Sequence, residues 1–216
     1  AIIYLSFGVF VLMRNRHARH YQLFSLLMFL FFWESISFLI TNTVEERSNI
    51  SKLFYTQSLV VELFIPPFFT WFVLVLSQKY RIIQNGFFFG LLFAIPVLLL
   101  IYHFSVQDAT TLLYEPSLGG YLFWNNLLVR LGLFLYVFLN GLLSLVVILK
   151  FGLKSIDYRI RVLAKTVSVA VIVVFGYSLL DQFQYILYEE KIAPDIYDLV
   201  SLVGFAFVFV SLIKQK

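Results

Sequence analysis

The chain has 216 residues, of which 61% are hydrophobic and 13% charged, and its formal net charge is +4. Soluble domains average about 45–50% apolar and about 25% charged residues, so this composition excludes an ordinary soluble protein and predicts a membrane protein. With no cysteine, the chain has no disulfide, thiolate metal site or cysteine nucleophile. No nucleic-acid partner and no cofactor are predicted.

Apolar runs separated by polar breaks predict seven helices in chain order. A helix crosses the hydrocarbon core with about 20 mostly apolar residues, and six of the runs approach or exceed that length. The first run is shorter, so we expect helix one to be truncated at its outer half. The whole chain, 1–216, is predicted to be one all-α domain, a seven-transmembrane helix bundle, with spans near 1–13, 21–41, 53–77, 86–104, 121–149, 162–188 and 195–213.

The charges between the runs predict the orientation of the bundle. Acidic residues predominate in the breaks after runs two, four and six. Lysine and arginine instead predominate in the breaks after runs one, three and five and in the tail. Cytoplasmic connections are enriched in these residues, so these breaks are predicted to be cytoplasmic and the N-terminus external. We therefore expect a multi-pass protein of the bacterial inner membrane or plasma membrane with a cytoplasmic C-terminus. The basic residues on the predicted cytoplasmic side are Arg14, Arg16, Arg19, Lys79, Arg81, Lys150, Lys154, Arg159, Arg161, Lys165, Lys214 and Lys216.

Five ionisable residues remain within or at the edge of the predicted spans: Glu34, Glu62, Arg130, Asp181 and Asp198. A charged side chain is costly in the bilayer, so each is expected to face protein or water. The predicted helix directions place all five in the outer half of the membrane. Charges with separate structural roles have no reason to share one depth, so the pattern predicts a polar cavity open to the outside.

Helical spacing adds neighbours to this predicted cavity. Asn126 precedes Arg130 by four residues, and Gln184 follows Asp181 by three, which places each pair on one helix face. Tryptophans near these faces would supply apolar walls, as in many ligand pockets. The alternative interpretation is an ion-pair network that only fastens the helices together. The predicted ligand-binding residues are Trp33, Glu34, Glu62, Trp124, Asn126, Arg130, Asp181 and Gln184.

Two features suggest a moving part and a dimer contact. Pro66 and Pro67 lie mid-span, and Pro66 cannot donate to the carbonyl of Glu62, so a kink is predicted there. The kink is interpreted either as a hinge or as a static bend held by packing. Gly86 and Gly90 form a GxxxG pair of the kind that packs transmembrane helices. A homodimer, through this region or a following domain, is expected.

Sequence motifs for catalysis are absent. No nucleotide-binding motif, HExxH or serine-triad pattern occurs, and no two histidines are placed to hold a haem. Neither an enzyme activity nor a metal site is therefore predicted for this segment.

The order of several short motifs resembles the N-terminal seven-helix sensor region of bacterial membrane histidine kinases, a region also found before diguanylate cyclase domains. The resemblance covers nearly the whole chain and implies a receptor for an extracellular signal, as in quorum sensing, with the phosphoacceptor histidine and the ATP site beyond this chain. The motifs that carry it are Ala18-Arg19, Trp33-Glu34, Lys52-Leu53-Phe54-Tyr55, Pro66-Pro67, Lys79-Tyr80-Arg81, Gly120-Tyr121-Leu122-Phe123-Trp124 and Tyr158-Arg159-Ile160-Arg161.

The predicted function is a transmembrane receptor module. A small extracellular molecule would enter the polar cavity, bias the kinked third helix and act through helix seven on a cytoplasmic output domain. Two alternatives remain open at this point: a small-molecule or proton-coupled transporter, and an accessory subunit of a larger membrane complex. A transporter usually binds its substrate near the midplane between repeated halves, and no convincing internal repeat is visible in the sequence.

Overall fold

The computed structural model describes residues 1–43, 49–79, 82, 84–115, 119–187 and 197–213, with the side chains of residues 42, 49–51, 112–115, 119–123, 185, 197 and 198 outside the description. Helices dominate it, with one antiparallel hairpin. In chain order the elements are α1 (Ile2–Arg14), α2 (Arg19–Thr43), α3 (Asn49–Leu76), α4 (Gly86–Ser105), β1 (Thr110–Glu115), β2 (Gly119–Trp124), α5 (Leu127–Lys154), α6 (Tyr158–Leu187) and α7 (Tyr197–Ile213).

The helices have the length and composition of membrane spans. Five of them, α2 to α6, are long and apolar enough to cross a bilayer. The other two, α1 and α7, are shorter apolar helices. The predicted all-α class and the membrane-type architecture are therefore confirmed, whereas the count of seven spans and the orientation of the bundle stay predictions.

The predicted start of the fifth span, residue 121, is wrong. Residues Gly119–Trp124 form a strand that pairs with β1, in a register from Thr110 opposite Trp124 to Glu115 opposite Gly119. The helix begins only after Asn126, whose side chain accepts a hydrogen bond from the backbone N–H of Leu128 at 2.8 Å. This N-cap satisfies one of the helix's first unpaired donors and fixes the boundary.

Aromatic side chains hold the centre of the bundle, with α3 as its most enclosed helix. In the most apolar 18-residue stretch of α3, 72% of the residues are buried, whereas in that of α4 only 6% are buried. Phe69 of α3 contacts Phe175 of α6 at a centroid distance of 5.3 Å and Phe205 of α7 at 5.7 Å. In the same core Phe24 of α2 lies 6.0 Å from Phe72 of α3. These contacts fix the relative heights of the four helices.

The close approach of α5 and α6 depends on glycine. A Cβ atom at Gly152 would lie 2.6 Å from the Cβ of Ala164, and one at Gly141 would lie 3.0 Å from the ring of Phe175. Because only glycine leaves room for this approach, the two positions set both the spacing and the register of α5 against α6.

The β1–β2 hairpin lies at one end of the bundle, which we call the hairpin end. Strand β2 contacts α2, α3 and α5. The side chain of Asn125 ties the hairpin together, because it donates to the carbonyl of Asp108 at 2.6 Å and accepts from the hydroxyl of Thr111 at 2.9 Å. Helices α2, α4 and α6 end at this end of the bundle, and α3, α5 and α7 begin there.

Candidate functional site

Glu34 and Glu62 lie at the same height on neighbouring antiparallel helices. The reference point is the contact of Phe24 with Phe72. Ten residues beyond Phe24 is Glu34, and ten residues before Phe72 is Glu62. Since both steps lead toward the hairpin end by the same rise, the backbones of the two glutamates are level.

Asp181 lies at this height too. Its reference point is the contact of Phe175 with Phe69. Asp181 is six residues beyond Phe175, toward the hairpin end. On α3 the same step toward the hairpin end leads from Phe69 to Leu63, which is next to Glu62. Phe205 of α7 contacts Phe69, and α7 runs in the same direction as α3. Asp198 precedes Phe205 by seven residues and Glu62 precedes Phe69 by seven, so their backbones are level. The side chain of Asp198 lies outside the described residues.

Arg130 lies slightly closer to the hairpin end. The hydroxyl of Thr70 donates to Asn140 Oδ1 at 2.9 Å and accepts from the Ser144 hydroxyl at 3.1 Å. Helices α3 and α5 run in the same direction, so these bonds place Arg130 level with residues 56–60 of α3. That height is within about 9 Å of Glu62 along the helix axis at 1.5 Å per residue. We call Glu34, Glu62, Arg130 and Asp181 the charged level.

Glu62 points into the bundle and yet is exposed. It precedes Phe69 by seven residues, so it shares the face of α3 that packs against α6 and α7. Its neighbours Val61 and Leu63 are buried, whereas the side chain of Glu62 is exposed. The neighbouring helices therefore leave the side chain of Glu62 uncovered at this height.

Glu34 and Arg130 are buried at the charged level. Their side chains are 6% and 5% exposed. Glu34 continues the face of Leu27 and Phe31, both fully buried, and Arg130 precedes the buried Val137 by seven residues on α5. Each of the four residues of the charged level makes at least one hydrogen bond, ion pair or other electrostatic contact. Each of the four residues therefore has a partner, as both the cavity and the network interpretation require.

The other predicted site residues have more varied positions. Gln184 is half-buried, as is Trp33, which packs against the core. Asn126 is exposed, and its side chain serves as the N-cap of α5. Trp124 is buried in β2, where its ring stacks on Tyr102 of α4 at 6.3 Å and meets His103 edge-on at 6.1 Å. Asn126 and Trp124 thus have evident structural roles at the hairpin end.

The proline pair is tied to α5 by a hydrogen bond that the sequence analysis did not anticipate. Pro67 has no N–H to donate to the carbonyl of Leu63. The Tyr136 hydroxyl of α5 donates to that carbonyl instead, at 3.3 Å. Nearby, the Asn140 side chain donates to the Tyr136 carbonyl at 2.9 Å. We call Thr70, Tyr136, Asn140 and Ser144 the α3–α5 polar network, and it lies immediately below the charged level.

Replacing Tyr136 by phenylalanine is expected to lower the free energy of unfolding by about 1 kcal/mol, because hydrogen bonds between membrane helices contribute about 0.6 kcal/mol on average and up to about 1.7. In the Pro67→Ala background the backbone N–H at position 67 can donate to the Leu63 carbonyl, so the Tyr136→Phe penalty should fall there. A double-mutant cycle of unfolding in bicelles measures the difference. Equal penalties in both backgrounds would contradict the assignment of Tyr136 as the substitute donor.

Buried polar atoms near the charged level have capacity for further hydrogen bonds. Among the described side chains, the hydroxyls of Ser35 and Ser37 and the carbonyl oxygen of Gln57 are buried and lack a hydrogen-bond partner. Ser37 is fully buried and follows Glu34 by three residues, on the same side of α2. Buried polar groups are nearly always bonded in folded proteins, so each of these atoms has an unused capacity for a hydrogen bond.

Metal binding has no support in the described part of the chain. No group of three histidine, aspartate or glutamate side chains there is close enough to hold a metal ion. The carboxylates of the charged level share a height without converging on one point.

Comparisons with protein-family models, with curated proteins and with solved structures find no match to this chain.

Proposed function

We propose that the chain is the sensor module of a membrane receptor, which binds a small extracellular molecule at the charged level. The observation that carries the proposal is the placement of ionisable residues of α2, α3 and α6 at one height, with Arg130 of α5 within about 9 Å of it and Glu62 exposed on an inward face. Such residues are costly in a membrane and are commonly functional. The resemblance to histidine-kinase sensor regions gives the class of protein.

The proposed orientation places the hairpin end outside the cell. Exposed basic residues concentrate at the opposite end of the described bundle, on the α1–α2 and α5–α6 connections and at the end of α3, including Arg16, Arg19, Lys79, Lys150, Lys154 and Arg159. Among the described side chains of the hairpin end, Lys52 is the basic one. Cytoplasmic connections carry the excess of basic residues, which supports an external hairpin end and an external entry to the charged level.

Helix α7 is the proposed route to the output domain. Its Phe205 contacts Phe24, Phe31 and Phe69, so α7 packs against both α2 and α3 below the charged level. A ligand shifts such a bundle only if it binds two helix arrangements with different affinity. Contacts with side chains from four helices give a ligand that differential affinity, and α7 would carry the shift to the cytoplasm.

Replacing Glu62 by glutamine is expected to change the response of the receptor without unfolding it. The side chain is exposed, so the substitution removes a charge at the site and little packing. In the full-length protein with its own output domain, the concentration of conditioned medium needed for half-maximal output should shift by about tenfold or more, the effect of losing one charged contact of about 1.4 kcal/mol. Immunoblotting of the membrane fraction checks the protein level.

Asp108→Asn is the matched control, since Asp108 is an exposed carboxylate at the same end of the bundle and outside the charged level. Its response should stay at the wild-type value. Equal responses of the wild type and Glu62→Gln would remove the support for a receptor site at this level.

A proton-coupled transporter is the second candidate, because three carboxylates at one height on separate helices also suit proton movement. Flux of protons or solutes in proteoliposomes, abolished by Glu62→Gln, would favour that function over the receptor.

A further inference from the structure

A groove between α1 and α2 opens on the surface of the bundle, at the end opposite the hairpin. Its volume is about 270 Å³. On each helix its outer residues recur at steps of four and three, as one face of a helix requires. Most of these side chains are large, apolar and exposed. We call this feature the α1–α2 groove; it is lined by Leu5, Gly8, Val9, Leu12, Gln22, Ser25, Leu26 and Phe29.

The floor of the α1–α2 groove is a close crossing of the two helices at Gly8. A Cβ atom at Gly8 would lie 3.1 Å from the Cβ of Met28 and 3.3 Å from the carbonyl oxygen of Ser25. The Ser25 hydroxyl donates to the Gly8 carbonyl at 2.7 Å. The polar groups of the floor therefore bond to each other, and the surface left for an occupant is apolar. A bilayer supplies acyl chains to such a surface, and these are as apolar as leucine.

The mouth of the groove is basic. The Gln22 side chain donates to the carbonyl of Arg16 at 2.8 Å, which places the α1–α2 connection at this end of the groove. Arg19 precedes Gln22 by three residues and Leu26 by seven, so it continues their face of α2, about 4.5 Å further toward the connection. Both arginines are exposed. The apolar groove thus leads to two exposed cations.

The charge of this part of the chain indicates an anionic occupant. The first 33 residues contain three arginines and no aspartate or glutamate. Guanidinium groups bind phosphate through a planar fork of donors, and basic pockets between membrane helices bind anionic lipid headgroups. An anionic phospholipid matches both ends of the groove with one molecule, whereas phosphatidylcholine has no net charge to offset the arginines.

We propose that the α1–α2 groove binds one anionic phospholipid, with its phosphate at Arg16 and Arg19 and the first part of one acyl chain along Leu12, Val9 and Leu26. In the proposed orientation this lipid belongs to the cytoplasmic leaflet. The groove lies at the opposite end of the bundle from the charged level, so the inference does not depend on the proposed receptor function.

Photoreactive lipids test the proposal on the purified protein in phosphatidylcholine nanodiscs. Trace phosphatidylglycerol and trace phosphatidylcholine, each with the same diazirine-bearing acyl chain, are crosslinked in parallel samples, and mass spectrometry locates the adducts. The ratio of phosphatidylglycerol to phosphatidylcholine adducts should be at least fivefold higher at Val9 and Leu26 than at Leu98, on the exposed surface of α4.

Variants of the basic end make the test specific to the groove. Arg19→Gln should lower the enrichment about fivefold, the effect of one basic residue at a membrane surface. Arg19→Lys keeps the charge and should retain most of the enrichment. Lys154→Gln is the matched control, because Lys154 is an exposed basic residue at the same end of the bundle, on α5. It should leave the enrichment unchanged, and circular dichroism checks the fold of each variant.

Two results would overturn the inference. Equal adduct ratios at the groove and on α4 would mean that the groove holds bilayer lipid without preference for charge. An enrichment that Arg19→Gln leaves intact, or that Lys154→Gln lowers equally, would assign it to diffuse attraction by the whole basic end.

Discussion

Replacement of Arg130 by leucine is expected to lower the free energy of unfolding by about 3–5 kcal/mol, the cost of removing one member of a buried charged group. Arg130 is 5% exposed, and along the helix axis it lies within about 9 Å of the height of Glu62. Without the guanidinium, Glu34 remains buried at a level with no described cation.

Two variants make this result specific to charge. Arg130→Lys keeps the positive charge and should retain more than half of the lost stability, although it cannot reproduce the planar fork of donors. Glu34→Gln combined with Arg130→Leu should be less destabilised than the sum of the single variants, because it removes a buried carboxylate together with its neighbouring cation. The measurement is reversible unfolding in bicelles. A cost below about 1 kcal/mol for Arg130→Leu would show that the guanidinium is not part of a buried charged group.

Replacement of Gly152 by alanine is expected to destabilise the bundle by about 1–3 kcal/mol, the usual cost of overpacking. The added methyl group would lie 2.6 Å from the Cβ of Ala164, an atom with no rotamer to change. Relief therefore requires α5 and α6 to move apart or to slide. Since their register sets the heights of Arg130 and Asp181, ligand response should fall together with stability.

The same helix provides the control for this substitution. A Cβ atom at Gly132 meets nothing within 4 Å, so Gly132→Ala should be neutral or stabilising by up to about 1 kcal/mol through helix propensity. Ala164→Gly removes the opposing methyl group and should restore most of the stability of Gly152→Ala. If Gly152→Ala and Gly132→Ala unfold alike, the close approach of α5 and α6 at this position is not what holds the two helices.

The helices were predictable because a membrane-spanning helix needs a long continuous apolar segment, and such segments are visible in the sequence. The observed ends of α2, α3 and α4 lie within about four residues of the predicted ends, since polar breaks and capping residues such as Asn85 delimit them. The hairpin was missed because Tyr121–Trp124 is a short apolar run beside a longer one, and the run was joined to the helix. The Gly119-Gly120 pair and the cap at Asn126 were the available signals of a strand followed by a helix start.

The candidate site was predictable in height but not in detail. Helix direction alone placed the ionisable residues in one half of the membrane, and the ring contacts of Phe24, Phe69 and Phe175 place Glu34, Glu62 and Asp181 level. Burial depends on tertiary neighbours, so the sequence did not separate the buried Glu34 from the exposed Glu62. The α3–α5 polar network was missed.

The missed bonds have a clear physical origin. A proline pair frees two carbonyls, and the sequence does not state which neighbouring helix supplies the donors. Tyr136 and Thr70 became identifiable only once α3 and α5 were seen to pack in parallel. The sequence did indicate that the backbone carbonyl of Leu63 needs a hydrogen-bond donor from another helix, because an unpaired buried carbonyl is costly in a membrane interior.

Thiol labelling of Glu62→Cys tests most directly whether the charged level opens to the exterior. The natural chain contains no cysteine, so the introduced thiol is unique within it. Leu98→Cys, on the exposed apolar surface of α4, is the lipid-facing reference. A membrane-impermeant thiol reagent added outside intact cells should modify Glu62→Cys rapidly and Leu98→Cys hardly at all. Equal, slow modification of both would mean that Glu62 faces lipid or closed protein, which would contradict the cavity and the receptor site built on it.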